Sequence, residues 1–127
     1  MAKKGAKKKR TSFPERGNVF VNATFNNTVV TVTDEQGNTL VSGSSGKSGF
    51  KGTRKATPYA ATMTVERAAR EAKEKGIREV AVFVKGPGPG RDAALRAIRS
   101  VGLSMSLIAD VTPIPHNGVR PKKRRRI

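Results

Sequence analysis

Hydrophobic and polar residues alternate along Asn18–Phe25, as they do in a strand that buries one face. The next apolar stretch, Thr28–Thr33, contains only threonine and valine, whose branched side chains favour strands. Between them lies Asn26-Asn27, a pair that tolerates the positive φ angles of a tight turn. A polar turn over residues 34–38 precedes a short third strand at Thr39–Ser42. The first third of the chain therefore predicts an antiparallel meander.

Two later segments carry the three-to-four-residue period of an amphipathic helix. The first begins at Thr57-Pro58, where threonine can cap the helix and proline suits its first position, and it ends at Gly76. The second is predicted over Arg91–Val101, with Gly102 just past its end. The apolar face of the first helix is made of small residues, which favours close packing on a sheet: Ala61, Val65, Ala68 and Ala72.

Two more strands are predicted, at Ile77–Val84 and Leu103–Asp110, so the order of elements is β-β-β-α-β-α-β. Three antiparallel strands followed by right-handed crossovers give an α/β fold, a mixed five-stranded sheet with two main helices in a ribonuclease-H-like layout. We expect a single α/β domain over residues 17–111. It lies between a basic N-terminal tail, residues 1–16, and a basic, proline-containing C-terminal tail, residues 112–127.

The net charge of the chain is strongly positive, with 26 lysine and arginine residues against 9 aspartate and glutamate residues, a formal charge of +17. The excess is concentrated at the ends, because Met1–Arg10 and His116–Ile127 each hold six basic residues and no acidic one. Segments of this composition are expected to be disordered when free and to order against phosphates. The balance of charge therefore predicts a polyanionic partner, and nucleic acid before any other.

The segment Gly43–Thr57 is rich in glycine, serine and basic residues, and no acidic residue occurs between Glu35 and Glu66. Its composition fits an RNA-contacting loop, although a flexible linker is the alternative. Gly46-Lys47-Ser48 resembles the end of a phosphate-binding Walker A motif, but Val41 stands where that motif requires its first glycine. We therefore do not expect nucleotide binding here.

The stretch Val80–Arg91, VAVFVKGPGPGR, places a glycine-rich loop between a strand and a helix. This order favours anion binding, because backbone N–H groups and a helix N-terminus meet at the end of a sheet. However, Pro87 and Pro89 have no N–H group and fix φ, so the loop is better interpreted as a stiff corner. Such a corner either presents Lys85 and Arg91 to a long polyanion or serves only as a rigid turn, and both interpretations remain open.

Catalysis and metal binding find little support in the residue types. The chain has no cysteine and a single histidine, His116, which excludes thiolate and histidine-rich metal sites. A nuclease with a ribonuclease-H-like sheet needs several carboxylates, including one in the first strand, and Asn18–Phe25 has none. No apolar stretch is long enough for a membrane span, and no secretory signal is present. We expect no enzymatic activity, no cofactor and no contact with membranes.

Several segments, in order along the chain, resemble the small-subunit ribosomal protein eleven family, bacterial type. They are Ala23–Thr28 (ATFNNT), Gly49–Lys55 (GFKGTRK), Thr57–Ala61 (TPYAA), Lys85–Arg91 (KGPGPGR) and Asp110–Arg126 (DVTPIPHNGVRPKKRRR). The resemblance covers about residues 17–127, and ordered matches of this length are far more specific than a short motif. Departures include serine at position 42, where many members have tryptophan, and valine at position 119, where many have cysteine.

The resemblance implies a structural, non-enzymatic role in the platform of the small ribosomal subunit, in the cytoplasm. The implied partners are small-subunit rRNA and neighbouring platform proteins, close to the mRNA exit and the Shine–Dalgarno region, and no homo-oligomer is expected. A nucleic-acid-binding protein outside the ribosome is the alternative. The residues expected to contact rRNA are basic or carry amide or imidazole groups: Lys3, Lys4, Lys7, Lys8, Lys9, Arg10, Asn26, Asn27, Lys47, Lys51, Arg54, Lys55, Lys85, Arg91, His116, Asn117, Arg120, Lys122, Lys123, Arg124, Arg125 and Arg126.

The dipeptide Asn117-Gly118 is chemically prone to succinimide formation, because glycine leaves the attacking backbone nitrogen unhindered. We expect partial conversion of Asn117 to isoaspartate in the free protein, detected by peptide mapping. A partner that orders the segment is expected to suppress the conversion. A map of aged free protein that contains only asparagine at this position would refute the prediction.

Overall fold

The computed structural model describes residues 14–47, 49 and 57–123. Its elements are β1 (Arg16–Ala23), β2 (Thr28–Thr33), β3 (Thr39–Ser44), α1 (Pro58–Glu74), β4 (Glu79–Lys85), α2 (Arg91–Val101) and β5 (Ser104–Asp110). The predicted order of elements is confirmed, and so are the bounds of β2 and α2. Residues 1–13, 48, 50–56 and 124–127 lie outside this description.

The five strands form one mixed sheet in the order β3-β2-β1-β4-β5. The meander β1-β2-β3 is antiparallel, whereas β4 pairs in parallel with both β1 and β5. At the centre of the sheet, Val19 of β1 lies opposite Val32 of β2 on one side and Val82 of β4 on the other. The predicted mixed five-stranded sheet is therefore confirmed.

Both helices pack on the same face of this sheet. Alternate residues of the central strands are almost fully buried there, with Val19, Val21 and Val82 each at most 1% exposed. The facing residues of α1 are mainly alanines, which let the helix lie close to the strands. Burying one valine side chain stabilises the fold by about 1.5–3 kcal/mol, so this valine layer contributes much of the folding free energy.

The ends of the helices follow the capping signals in the sequence. The Thr57 hydroxyl accepts a hydrogen bond from the Ala60 N–H at 3.2 Å, and Pro58 occupies the first turn of α1. Gly102 ends α2 with a φ of +100°, in the left-handed region. The Lys73 ammonium donates to the Val101 carbonyl at 2.8 Å, so the C-terminal ends of the two helices are tied together.

Some predicted strand ends differ from the structure. β1 ends at Ala23 rather than Phe25, because the Thr24 hydroxyl accepts the N–H groups of Asn26 and Asn27, at 3.3 and 3.0 Å, and begins the turn. Phe25, predicted as the last strand residue, is 71% exposed. β3 extends to Ser44, two residues beyond its predicted end. β4 begins at Glu79, since Ile77 belongs to the turn that leaves α1.

The glycine-rich loop between β4 and α2 lies directly against the end of β1. The Gly88 N–H donates to the Ala23 carbonyl at 2.8 Å. A Cβ at Gly88 would lie 2.3 Å from the Thr24 carbonyl oxygen and 2.6 Å from the Ala23 carbonyl carbon. Both are backbone atoms, which can move only if the end of β1 shifts, so the close approach favours glycine here.

We expect Gly88→Ala to lower the free energy of unfolding by about 1–3 kcal/mol, because the added methyl group must displace the end of β1. Urea unfolding followed by circular dichroism measures the effect. Gly43→Ala is the matched control, since a Cβ there meets its nearest atom, a Val30 methyl group, at an ordinary 3.5 Å. Equal stabilities of the two variants would contradict the packing argument.

Candidate nucleic-acid interface

One edge of the sheet collects the described segments that the sequence predicts to bind RNA. β1, β3, β4 and β5 all run in the same direction, so their C-terminal ends lie at this edge together with the start of β2. We call it the loop edge. It carries Asn26 and Asn27 after β1, Lys47 after β3, the stretch from Lys85 at the end of β4 to Arg91, and the start of the C-terminal segment after β5. Further along that exposed segment come His116, Asn117, Arg120, Lys122 and Lys123.

The remaining predicted RNA-binding residues lie outside the described part of the chain. These are the N-terminal Lys3, Lys4, Lys7, Lys8, Lys9 and Arg10, the loop residues Lys51, Arg54 and Lys55, and the C-terminal Arg124, Arg125 and Arg126. Lys51, Arg54 and Lys55 fall in the sequence between Gly49 and Thr57, the described residues on either side of them. Their contacts with RNA therefore stay predictions.

The turn after β1 is held by hydrogen bonds of its own backbone and side chains. The Thr24 N–H donates to the Asn27 carbonyl at 2.8 Å, and the Asn27 side-chain oxygen accepts the Thr28 N–H at 2.9 Å. Asn27 is thus partly committed to the turn itself. Asn26, in contrast, lies at the exposed tip, where its side-chain amide faces solvent.

Lys47 lies on the exposed turn that follows β3. Its backbone N–H donates to the Ser44 hydroxyl at 3.0 Å, and its ammonium group reaches the Ser42 carbonyl at 3.5 Å. The side chain therefore extends along the end of β3 and remains exposed. Because the ammonium has three donors, this one long contact leaves it able to bind a phosphate.

The glycine-rich corner is braced by Arg91. Its guanidinium donates to the Gly86 carbonyl at 2.9 Å and to the Asp110 carboxylate at 2.7 Å. About a third of the Arg91 side chain is exposed. Lys85, at the end of β4, is exposed. Arg91 thus joins the corner to the end of β5, a role that the sequence pattern did not predict. Lys85, in contrast, faces solvent.

Asp110 and Thr112 complete the connection between the corner and the C-terminal segment. The Thr112 hydroxyl donates to the Asp110 carboxylate at 2.6 Å and accepts the Gly86 N–H at 3.0 Å, while the Thr112 N–H donates to Asp110 at 3.0 Å. The hydroxyl of Thr112 and then the guanidinium of Arg91 hold the pKa of Asp110 well below its usual range. The carboxylate therefore stays ionised in acid well below the pH at which an ordinary aspartate is protonated.

Beyond Thr112 the C-terminal segment is exposed through residue 123. Asn117 has a φ of +56°, in the left-handed region, which asparagine tolerates better than most residues. Since Asp110 and Thr112 hold the start of this segment against the corner, it leaves the loop edge from a fixed point. His116, Asn117 and the described basic residues after them face solvent.

The sequence pattern missed an aromatic pair on the other face of the sheet. Phe20 interrupts the alternation of β1, and Phe83 lies inside a continuous apolar run, so neither residue stood out. In the structure the β1–β4 register puts them side by side, with ring centroids 5.2 Å apart and an interplanar angle of 17°. Only the pairing of two strands distant in sequence could have revealed this contact.

The described residues show no arrangement suited to metal catalysis. Within residues 14–47, 49 and 57–123, no three histidine, aspartate or glutamate side chains cluster as metal ligands would. Asp110, the carboxylate at the end of the last strand, is occupied by Arg91 and Thr112. In the same part of the chain, no helix is long and apolar enough to cross a bilayer.

Comparison with models of known protein families gives one match that spans most of the chain. The family model described as Ribosomal protein S11 matches residues 17–126, which includes the whole domain and most of the C-terminal segment. A match of this extent leaves little of the chain outside the family. The chain therefore belongs to the ribosomal protein S11 family, whose members are structural proteins of the small ribosomal subunit.

Proposed function

We propose that this protein binds small-subunit rRNA in the platform of the small ribosomal subunit, near the mRNA exit and the Shine–Dalgarno region, and supports assembly and translation. The observation that carries the proposal is the loop edge. Four of the five strands end there, and each is followed by residues suited to bind phosphate or sugar. Together with a net charge of +17, this arrangement favours a long polyanion over a small ligand.

The binding mechanism divides between a rigid edge and two basic tails. The corner fixed by Arg91, Asp110 and Thr112 gives the RNA a preformed surface, so little conformational entropy is lost there on binding. The tails, residues 1–16 and 112–127, contain half of the 26 lysine and arginine residues, and we expect them to contact the phosphates as the rRNA folds. Lysine and arginine release counterions from the phosphates, and Asn26, His116 and Asn117 donate hydrogen bonds to sugar or base edges.

The same surface explains why we propose a structural protein rather than a nuclease. Asp110, the carboxylate at the end of β5, is used to hold the glycine-rich corner through Arg91. Neighbouring platform proteins are expected on the surfaces that rRNA leaves uncovered, and mRNA is expected close to the loop edge. The ribosome is then the cellular location of the chain.

Sedimentation of cell extracts through a sucrose gradient tests the proposal. We expect the tagged full-length chain to sediment with small subunits and with translating ribosomes. Removal of Mg²⁺, which separates the subunits, is expected to leave it on the small subunit. A chain found only in the free fractions would refute the proposal and favour a nucleic-acid-binding protein outside the ribosome.

Truncation of His116–Ile127 tests the role of the C-terminal tail. The six basic residues removed contribute counterion release, so we expect weaker binding to small-subunit rRNA and a shallower dependence of affinity on salt. The slope of log K against log[salt] should fall by about 0.7–0.9 for each phosphate that the truncated chain no longer neutralises. Filter binding at several salt concentrations measures both quantities.

Arg70→Ala is the control for this truncation. Arg70 is an exposed cation of α1, paired with Glu66 at 2.6 Å and distant from the loop edge. Its replacement is expected to leave the salt slope unchanged. The thermal unfolding of the truncated chain should match that of the full-length protein, because the tail follows the connection at Thr112. An unchanged slope after truncation would show that the tail does not contact phosphates.

A further inference from the structure

The face of the sheet opposite the helices is not covered by any described residue. We call it the open face. It carries a small apolar centre with a polar margin, formed by Asn18, Phe20, Asn22, Val29, Thr31, Ser42, Ala81, Phe83, Lys85, Leu107 and Ala109. Two of its large apolar residues are substantially exposed to solvent: the exposed fraction is 42% for Phe20 and 51% for Leu107. A contiguous apolar patch with a polar margin is a common feature of contact surfaces.

Phe20 and Phe83 stand side by side at the middle of the open face. Their centroid separation of 5.2 Å is close to the spacing of about 4.8 Å between neighbouring strands, so each ring rises above its own strand. The two rings are nearly parallel, with an angle of 17° between their planes. They therefore form one flat-sided aromatic block rather than two independent side chains.

The neighbours of this block leave its outer sides accessible. Across the sheet, Thr31 of β2 is next to Phe20, and Ala109 of β5 is next to Phe83. Both side chains are much shorter than a phenylalanine ring. A planar group can therefore stack against either outer side of the pair, above threonine or above alanine.

Polar groups lie beside the block, where a stacked nucleotide would need them. Asn22 and Lys85 occupy adjacent positions of the β1–β4 register, two residues beyond Phe20 and Phe83, and both are exposed. The amide of Asn22 can donate to and accept from the edge of a base. The ammonium of Lys85 can bind the attached phosphate, and it lies where the open face meets the loop edge.

We propose that Phe20 and Phe83 form a stacking site for an unpaired nucleobase of single-stranded RNA, with Asn22 on the base edge and Lys85 on its phosphate. The inference rests on the proposed function and adds a base contact to it. RNA is favoured over a protein partner by the charge of the surface. Glu79 is the one acidic side chain that the described strands place on this face, and it is paired with Arg16 at 3.2 Å.

A single-tryptophan reporter tests the stacking directly. The chain contains no tryptophan, so Phe20→Trp gives the full-length protein one indole at the site. We expect its fluorescence to be quenched by single-stranded oligouridylate and oligoadenylate, and not by an abasic strand of equal length and charge. Met63→Trp, on α1 behind the sheet, is the matched control and should not respond to these strands.

Two substitutions at Phe20 distinguish the contribution of the aromatic ring to binding from that of an apolar side chain of similar size. Phe20→Leu keeps an apolar side chain but removes the ring, and we expect it to weaken binding to small-subunit rRNA by between about five-fold and about a hundred-fold. Phe20→Tyr keeps the ring and should bind like the natural protein. The slope of log K against log[salt] should be the same for the natural protein and for both variants, because stacking releases no counterions.

The outcomes distinguish this inference from the proposed function. If the natural protein does not bind rRNA, the proposed function fails. If it binds and Phe20→Leu binds equally well, or if the abasic strand quenches the indole of the Phe20→Trp protein equally, the stacking site is refuted. If the indole of the free Phe20→Trp protein is already shielded from solvent, another segment of the chain covers the open face, and the stacking site is refuted. If the Phe20→Leu protein binds rRNA normally but does not enter the small subunit, the open face binds a protein partner, and the stacking site is refuted.

Discussion

The parallel register between β1 and β4 is the constraint on which the other features of this molecule depend. It joins the antiparallel meander to the second half of the chain at the centre of the sheet, with Val19 beside Val82 in the buried layer. A slip by one residue would turn valines outward and phenylalanines toward the helices, which the small alanine face of α1 could not accept. Burial therefore fixes the register, and the register fixes both candidate surfaces.

At the loop edge, rigidity comes from backbone contact and one ionic network rather than from a large core. Gly88 lies against the end of β1, while Arg91, Asp110 and Thr112 connect the corner to the start of the C-terminal segment. Because the start of the C-terminal segment is held in place, the positions at which this tail can reach a phosphate are restricted. In the proposed function, the edge is thus organised before the RNA binds.

The two proposed surfaces recognise RNA by different physical means. The loop edge acts through charge and backbone amides, so its contribution depends on salt and hardly on sequence. The open face acts through stacking on Phe20 and Phe83, which is insensitive to salt and needs an unpaired base. Lys85 lies between them. A ribosomal protein of this size can in this way use a folded rRNA backbone and an exposed nucleotide at the same time.

Local pattern was sufficient to predict the order of elements and the capping of α1 by Thr57, because these depend mainly on neighbouring residues. It also marked Gly86–Gly90 as a corner, but the contacts that hold this corner come from β1 and from the segment after β5. The sequence also determined the excess of positive charge and hence the class of partner. Only the tertiary structure gathered four strand ends at one edge, committed Arg91 to Asp110, and set Phe20 beside Phe83. These pairs lie far apart along the chain, and their contact is decided by strand pairing and burial, which no local period encodes.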